Sequence, residues 1–234
     1  MAFAREETLR YAEVRERNII KNVYLWMTAG LALTGVVAMA VSSSRSMIAT
    51  LVGNPILFFA LIIAELVLVS VLSARINKMS ASSATLAFAG YAVLNGITLS
   101  LVFLAYTGQT IALAFFTTAA TFGGMSLWAL TTKRDLSGLG HYLMMGLWGV
   151  LIATLINFFL KSPTVYYMIS YIGIAVFLGL TAYDTQIIKR WSAAYGNSVD
   201  EEGYVKISIM GALKLYLDFI NIFLFLLRIF GRRR

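Results

Sequence analysis

The chain has 234 residues, 59% of them hydrophobic and only 13% charged; soluble domains carry about 25% charged residues, and no polar stretch here is long enough for a separate water-soluble domain. Cysteine is absent and His141 is the only histidine, which removes disulfides, thiol catalysis, His-rich metal sites and most His-based triads. The net charge of +8 sits mainly at segment ends and termini, with no basic, aromatic-interleaved surface to suit a nucleic acid.

Residues 1–22 form a charged opening segment, with five basic and four acidic residues in the first 21. No short apolar region ending in a small-residue cleavage site follows it, so it is expected to stay on the protein as a juxtamembrane helix. Seven apolar segments fill 23–231: Val23–Val41, Pro55–Ala74, Leu86–Tyr106, Thr110–Leu130, Tyr142–Leu160, Val165–Ile188 and Ile207–Phe230. Their lengths suit helices crossing a ~30 Å hydrocarbon core, whereas barrel strands are about 10 residues long with alternating polarity. The predicted fold class is an all-α integral membrane bundle of seven transmembrane helices. Short breaks such as Gly53-Asn54-Pro55 and Lys161-Ser162-Pro163 predict antiparallel neighbours. A basic tail, 232–234, ends the chain.

Lys and Arg counts orient the spans. With the N-terminus inside, the inner segments hold 12 basic residues and the outer loops only Arg45 and Lys161. The N-terminus is therefore expected in the cytoplasm. Arg228 and Arg232–Arg234 run against the rule, because seven crossings put them outside. Either the early charges dominate or the seventh segment re-enters. Gly30 with Gly35, Gly123-Gly124, and Ala175 with Gly179 are expected to serve close helix packing. Most of the four tryptophans, Trp148 excepted, lie near span ends as interfacial anchors.

Three of the eleven acidic residues, Glu65, Asp184 and Asp218, fall within apolar spans. A carboxylate there costs at least ~2.5–3.5 kcal/mol on insertion scales, so it faces the bundle interior and has a partner. Asp184 lies six residues before Arg190 and Asp218 twelve after Lys206, about 9 and 18 Å along their helices from the same loop. Two carboxylates close together in low dielectric share a proton and titrate as a pair. Arg75 or Lys214 would pull the other way by stabilising the charged form. The expectation is a pH-sensitive latch between helices six and seven; the plainer reading is a static helix–helix hydrogen bond at each aspartate. Glu65 on span two, Asn95, Thr98 and Ser100 on span three and Asn221 on span seven are candidates for a polar ion path. Such residues more often serve as interhelical hydrogen bonders. Asp200, Glu201 and Glu202 are expected to be solvated, since the 12-residue spacing of a calcium-binding hand is absent.

The segment Leu215-Tyr216-Leu217-Asp218-Phe219-Ile220-Asn221-Ile222-Phe223, running on to Leu226-Leu227-Arg228, closely resembles the closing signature of the Bax-inhibitor-one family. Asn95-Gly96-Ile97-Thr98-Leu99-Ser100 and Ala182-Tyr183-Asp184-Thr185-Gln186 are similar to two further family stretches. The resemblance covers residues 20 to 231 and fits the bacterial branch best. It implies a seven-helix fold with helix seven central, no resident cofactor, a bacterial inner-membrane location, and a pH-sensitive calcium leak. The family's gating aspartate pair maps to Asp184 and Asp218, which would also meet Ca²⁺ transiently, and its linked arginine to Arg75. Glu65 stands where family members often carry a span-two acid. Implied partners are the lipid bilayer, calcium and other membrane proteins.

Rivals from other classes weigh less. An intramembrane aspartyl protease also uses a Tyr-Asp in one span, as in Tyr183-Asp184, but its second aspartate follows Gly-x-Gly and here it follows Leu215-Tyr216-Leu217. Its Pro-Ala-Leu element is missing as well. A retinal protein would need Lys214 as its Schiff base, yet Lys214 lies near the charged end of its helix, where snorkelling is expected. A non-conducting regulator or scaffold for another membrane protein is the remaining alternative.

Overall fold

A computed structural model describes residues 2–195 and 200–231; the basic tail 232–234 lies outside the described residues. Among those described there are helices and no strand: α1 Ala2–Ser43, α2 Arg45–Gly53, α3 Pro55–Arg75, a 3-10 turn Ile76–Lys78, α4 Ala81–Leu99, α5 Val102–Ala105, α6 Gly108–Thr131, α7 Leu139–Leu160, α8 Pro163–Tyr195 and α9 Glu201–Phe230. Seven helical stretches are long and apolar enough to cross a membrane, from Asn18–Ser43 through Glu201–Phe230. All seven expected spans are present, several longer than the apolar segments suggested. The charged opening segment continues into the first span as one helix.

Local chemistry sets the breaks. Asn54 caps α3 by accepting from Leu57 N at 3.0 Å, with Pro55 in the first turn, where its missing N–H costs nothing. Ser80 and Thr107 cap α4 and α6 in the same way. Lys161 ends α7 in the left-handed region at φ 51°. Two departures stand out. The connection 42–54 holds a nine-residue helix, α2, and the third span is broken between α4 and α5.

The chain divides into two compact units, Met1–Ala105 with Trp191–Tyr216, and Tyr106–Arg190 with Leu217–Arg234. In the first, α1 packs chiefly on α4, and α3 on α4. Ile19, Val23, Met27, Thr34, Ala38 and Val41 form the buried stripe of α1 at helical spacing. In the second, Ala114, Thr118, Phe122, Ser126 and Ala129 form the stripe of α6. α9 is the most buried of the seven spans: 72% of its most apolar window is inside the protein, against at most 39% for any other span. The seventh helix is thus the core helix, as the resemblance implied. The exposed residues of α3 and α7, such as Ile56, Phe59, Ile63, Leu155 and Phe159, present the large apolar surface that lipid covers.

The small-residue expectation divides. A Cβ on Gly30 would fall 2.7 Å from the Phe88 ring, and one on Gly179 would fall 2.5 Å from Leu143. A Cβ on Gly35, Gly123 or Gly124 would meet nothing within 4 Å, so close packing does not require glycine there. Those three cannot be told from the packed glycines by sequence, because small residues also occur on lipid-facing turns.

Candidate functional site

Asp184 and Asp218 belong to the second unit and are only 6% and 3% exposed. On α8, Asp184 shares a buried face with Phe177, Leu180, Thr181 and Ile188. On α9, Asp218 shares one with Ile222 and Phe225. The Phe177 and Phe225 rings meet with centroids 5.9 Å apart, and Gly173 leaves room for the Phe225 ring. These rings set the register of two helices that run in opposite directions. Seven residues on from Phe177 is Asp184, and seven back from Phe225 is Asp218. Seven residues make about two turns and return nearly to the same face, so both carboxyl groups stand at one level. Phe219, next to Asp218, packs edge-on against Phe115 and Phe122 of α6.

Around Asp184 the second unit is pinned by polar contacts at its loop end. Gln186 accepts from Leu136 N at 3.0 Å and donates to Arg134 O at 2.8 Å. Lys189 donates to Leu130 O, and Arg190 is ion-paired with Asp135 in the α6–α7 loop. Two hydrogen bonds from Ser137, together with Arg190, hold the Asp135 carboxyl below the usual carboxylate range. At the other end of α9, Arg228 stacks on the rings of Tyr166 and Phe225 at 5.2 and 5.3 Å. The charge that strained the orientation rule therefore has an aromatic seat.

Three of the ion-path candidates meet in the first unit. Thr98 Oγ1 donates to Glu65 Oε1 at 2.7 Å, and Asn95 Nδ2 lies 3.5 Å from Glu65 Oε2 and 3.3 Å from the Tyr91 hydroxyl. Tyr91 packs edge-on against Tyr216, whose hydroxyl bonds Thr34 at 2.7 Å. Sequence reading missed Tyr91, Tyr216 and Thr34, because Tyr and Thr are unremarkable within spans. Ser100 and Asn221 instead bond to carbonyls of their own helices, Ile97 O at 2.6 Å and Leu217 O at 2.8 Å. Arg75 is the exposed last residue of α3. Lys214, four residues before Asp218, is half-buried. Asp200 caps α9 by accepting from Gly203 N, while Glu201 and Glu202 form its exposed first turn, with Glu202 paired to Lys206 at 3.0 Å.

Comparison with known proteins agrees with this architecture. The chain is 47% identical over 232 residues to inner membrane protein YbhL of Escherichia coli K12, covering 99% of each chain. It is 41% identical over 225 residues to an uncharacterized protein of Borreliella burgdorferi, covering 94% of this chain and 96% of that one. It is also 39% identical over 223 residues to an uncharacterized membrane protein of Streptococcus pyogenes serotype M3, covering 94% and 95%. The family described as inhibitor of apoptosis-promoting Bax1 matches residues 16–234. With its seven spans and its closing Leu-Asp-Phe-Ile-Asn signature, this chain is a multi-pass protein of the inner membrane and belongs to the Bax-inhibitor-one family.

Proposed function

We propose that the chain is a pH-sensitive calcium leak of the inner membrane, gated by Asp184 and Asp218, and that it conducts ions without catalysing a reaction. The reading is supported chiefly by the shared level of the two buried carboxyl groups, each two turns from the Phe177–Phe225 contact. With one proton between them, the pair is a hydrogen bond that ties α8 to α9 and closes the path. Loss of the proton leaves two like charges. At about 4 Å and the effective dielectric of a protein, they repel by roughly 4 kcal/mol. That is comparable to the ~5.5 kcal/mol that carries a two-state equilibrium from 1:99 to 99:1. The freed carboxylate oxygens suit Ca²⁺, a hard cation. Acid therefore closes the path and alkali opens it.

The test is calcium flux from purified protein in liposomes as a function of pH. Asp184→Asn and Asp218→Asn each flatten the pH response. A variant that titrates like the wild type overturns the latch. A wild type that passes no calcium at any pH points instead to a non-conducting regulator of another membrane protein.

A further inference from the structure

We infer that Glu65, Asn95 and Thr98 form a binding site for a monovalent hard cation of the sodium class, separate from the aspartate pair and independent of whether the chain conducts calcium. Glu65 lies ten residues from each end of α3, about 15 Å from either, where a carboxylate is costly without a partner. Among the described residues no Lys or Arg forms an ion pair with it. Its hydrogen bonds are too few. Thr98 has one hydroxyl proton for three acceptors, Glu65 Oε1 at 2.7 Å, Asn95 O at 3.0 Å and Leu94 O at 3.4 Å. Whenever that proton serves the helix, oxygen lone pairs face the carboxylate.

Asn95 points to the same ligand independently. The residue is 7% exposed and its Oδ1 is buried without a hydrogen bond, while its Nδ2 reaches Glu65 only at the 3.5 Å limit of a hydrogen bond. The two ends of a carboxamide are isosteric and exchange by a half-turn. Turned, Oδ1 stands 3.5 Å from Oε2. Oxygens on neighbouring vertices around a hard cation, with bonds of about 2.4 Å, lie about 3.4 Å apart. The third span is also broken here. α4 stops at Leu99; Ser100 N keeps its helical bond to Gly96 O at 3.0 Å, but beyond it Leu101 N reaches only Thr98 O at 3.4 Å and Phe103 N only Ser100 O at 3.2 Å. Irregular backbone at membrane depth is tolerated where it lines a cavity, and broken helices are where membrane proteins coordinate sodium. Charge then selects the ion. One carboxylate and a monovalent cation sum to zero, whereas calcium would leave a net positive charge midway along a membrane span.

The experiment is thermal unfolding of the detergent-purified full chain at pH 8 and constant ionic strength, exchanging choline chloride for sodium chloride. Sodium at about five times its Kd raises the midpoint by roughly 2–4 °C, and Glu65→Gln abolishes the rise. Asn95→Asp adds a second carboxylate, so calcium becomes the stronger stabiliser. A wild type indifferent to sodium, a Glu65→Gln protein that still responds, or an Asn95→Asp protein that still prefers sodium each overturns the site. The readout is stability, so it stands apart from the flux test of the aspartate pair.

Discussion

Thr34 carries one hydroxyl proton, and the carbonyl of Ala92 takes it at 2.9 Å. The 2.7 Å contact with Tyr216 must then run the other way, from the Tyr216 hydroxyl to Thr34 Oγ1. This direction makes the two partners unequal. Thr34→Val leaves the buried Tyr216 hydroxyl without its acceptor, at about 1–3 kcal/mol for an unsatisfied group, while the Ala92 carbonyl keeps its bond within α4. Tyr216→Phe removes a donor whose acceptor keeps its own bond, at about 0.5–1.5 kcal/mol. Chemical unfolding in micelles of the two variants and their double mutant checks the order; equal costs would mean the hydroxyl donates elsewhere. Neither residue draws notice by its chemistry, since Thr and Tyr are common in spans. The three intramembrane acids are conspicuous for the opposite reason, that charge in an apolar run is expensive.

At the scale of elements, α1 and α4 approach closely at Gly96. A Cβ there would stand 2.8 Å from the backbone oxygen of Thr34 and 2.7 Å from Val37 Cβ, and a backbone atom cannot swing aside. Gly96→Ala therefore separates the helices and costs about 1–3 kcal/mol. Gly124 on α6 has nothing within 4 Å, so Gly124→Ala is neutral or stabilises by up to ~1 kcal/mol through helix propensity. Unfolding midpoints of the two variants should move in opposite directions or differ clearly. Both glycines read alike in the sequence, because a span's composition does not say which of its faces meets a neighbour.

Over the whole molecule, the basic residues predict a cytoplasmic N-terminus, while α9, at 30 residues, is about 45 Å long and more than spans the ~30 Å core. The natural absence of cysteine makes the topology directly measurable. Single cysteines in place of Ser46 and Arg232 should react with an impermeant maleimide from outside intact spheroplasts, and one in place of Ser137 only after lysis. An Arg232→Cys protein that reacts only after lysis would show that the seventh segment re-enters. Membrane residence, span number, basic-residue asymmetry and the identity of the misplaced acids were all determined by the sequence, because each depends only on apolar run length and on charge within it. The level shared by Asp184 and Asp218, the meeting of Glu65 with Asn95 and Thr98, the break in the third span and the seat of Arg228 were decided by tertiary structure. Those depend on helix register and on which faces pack, and many registers satisfy the same apolar pattern.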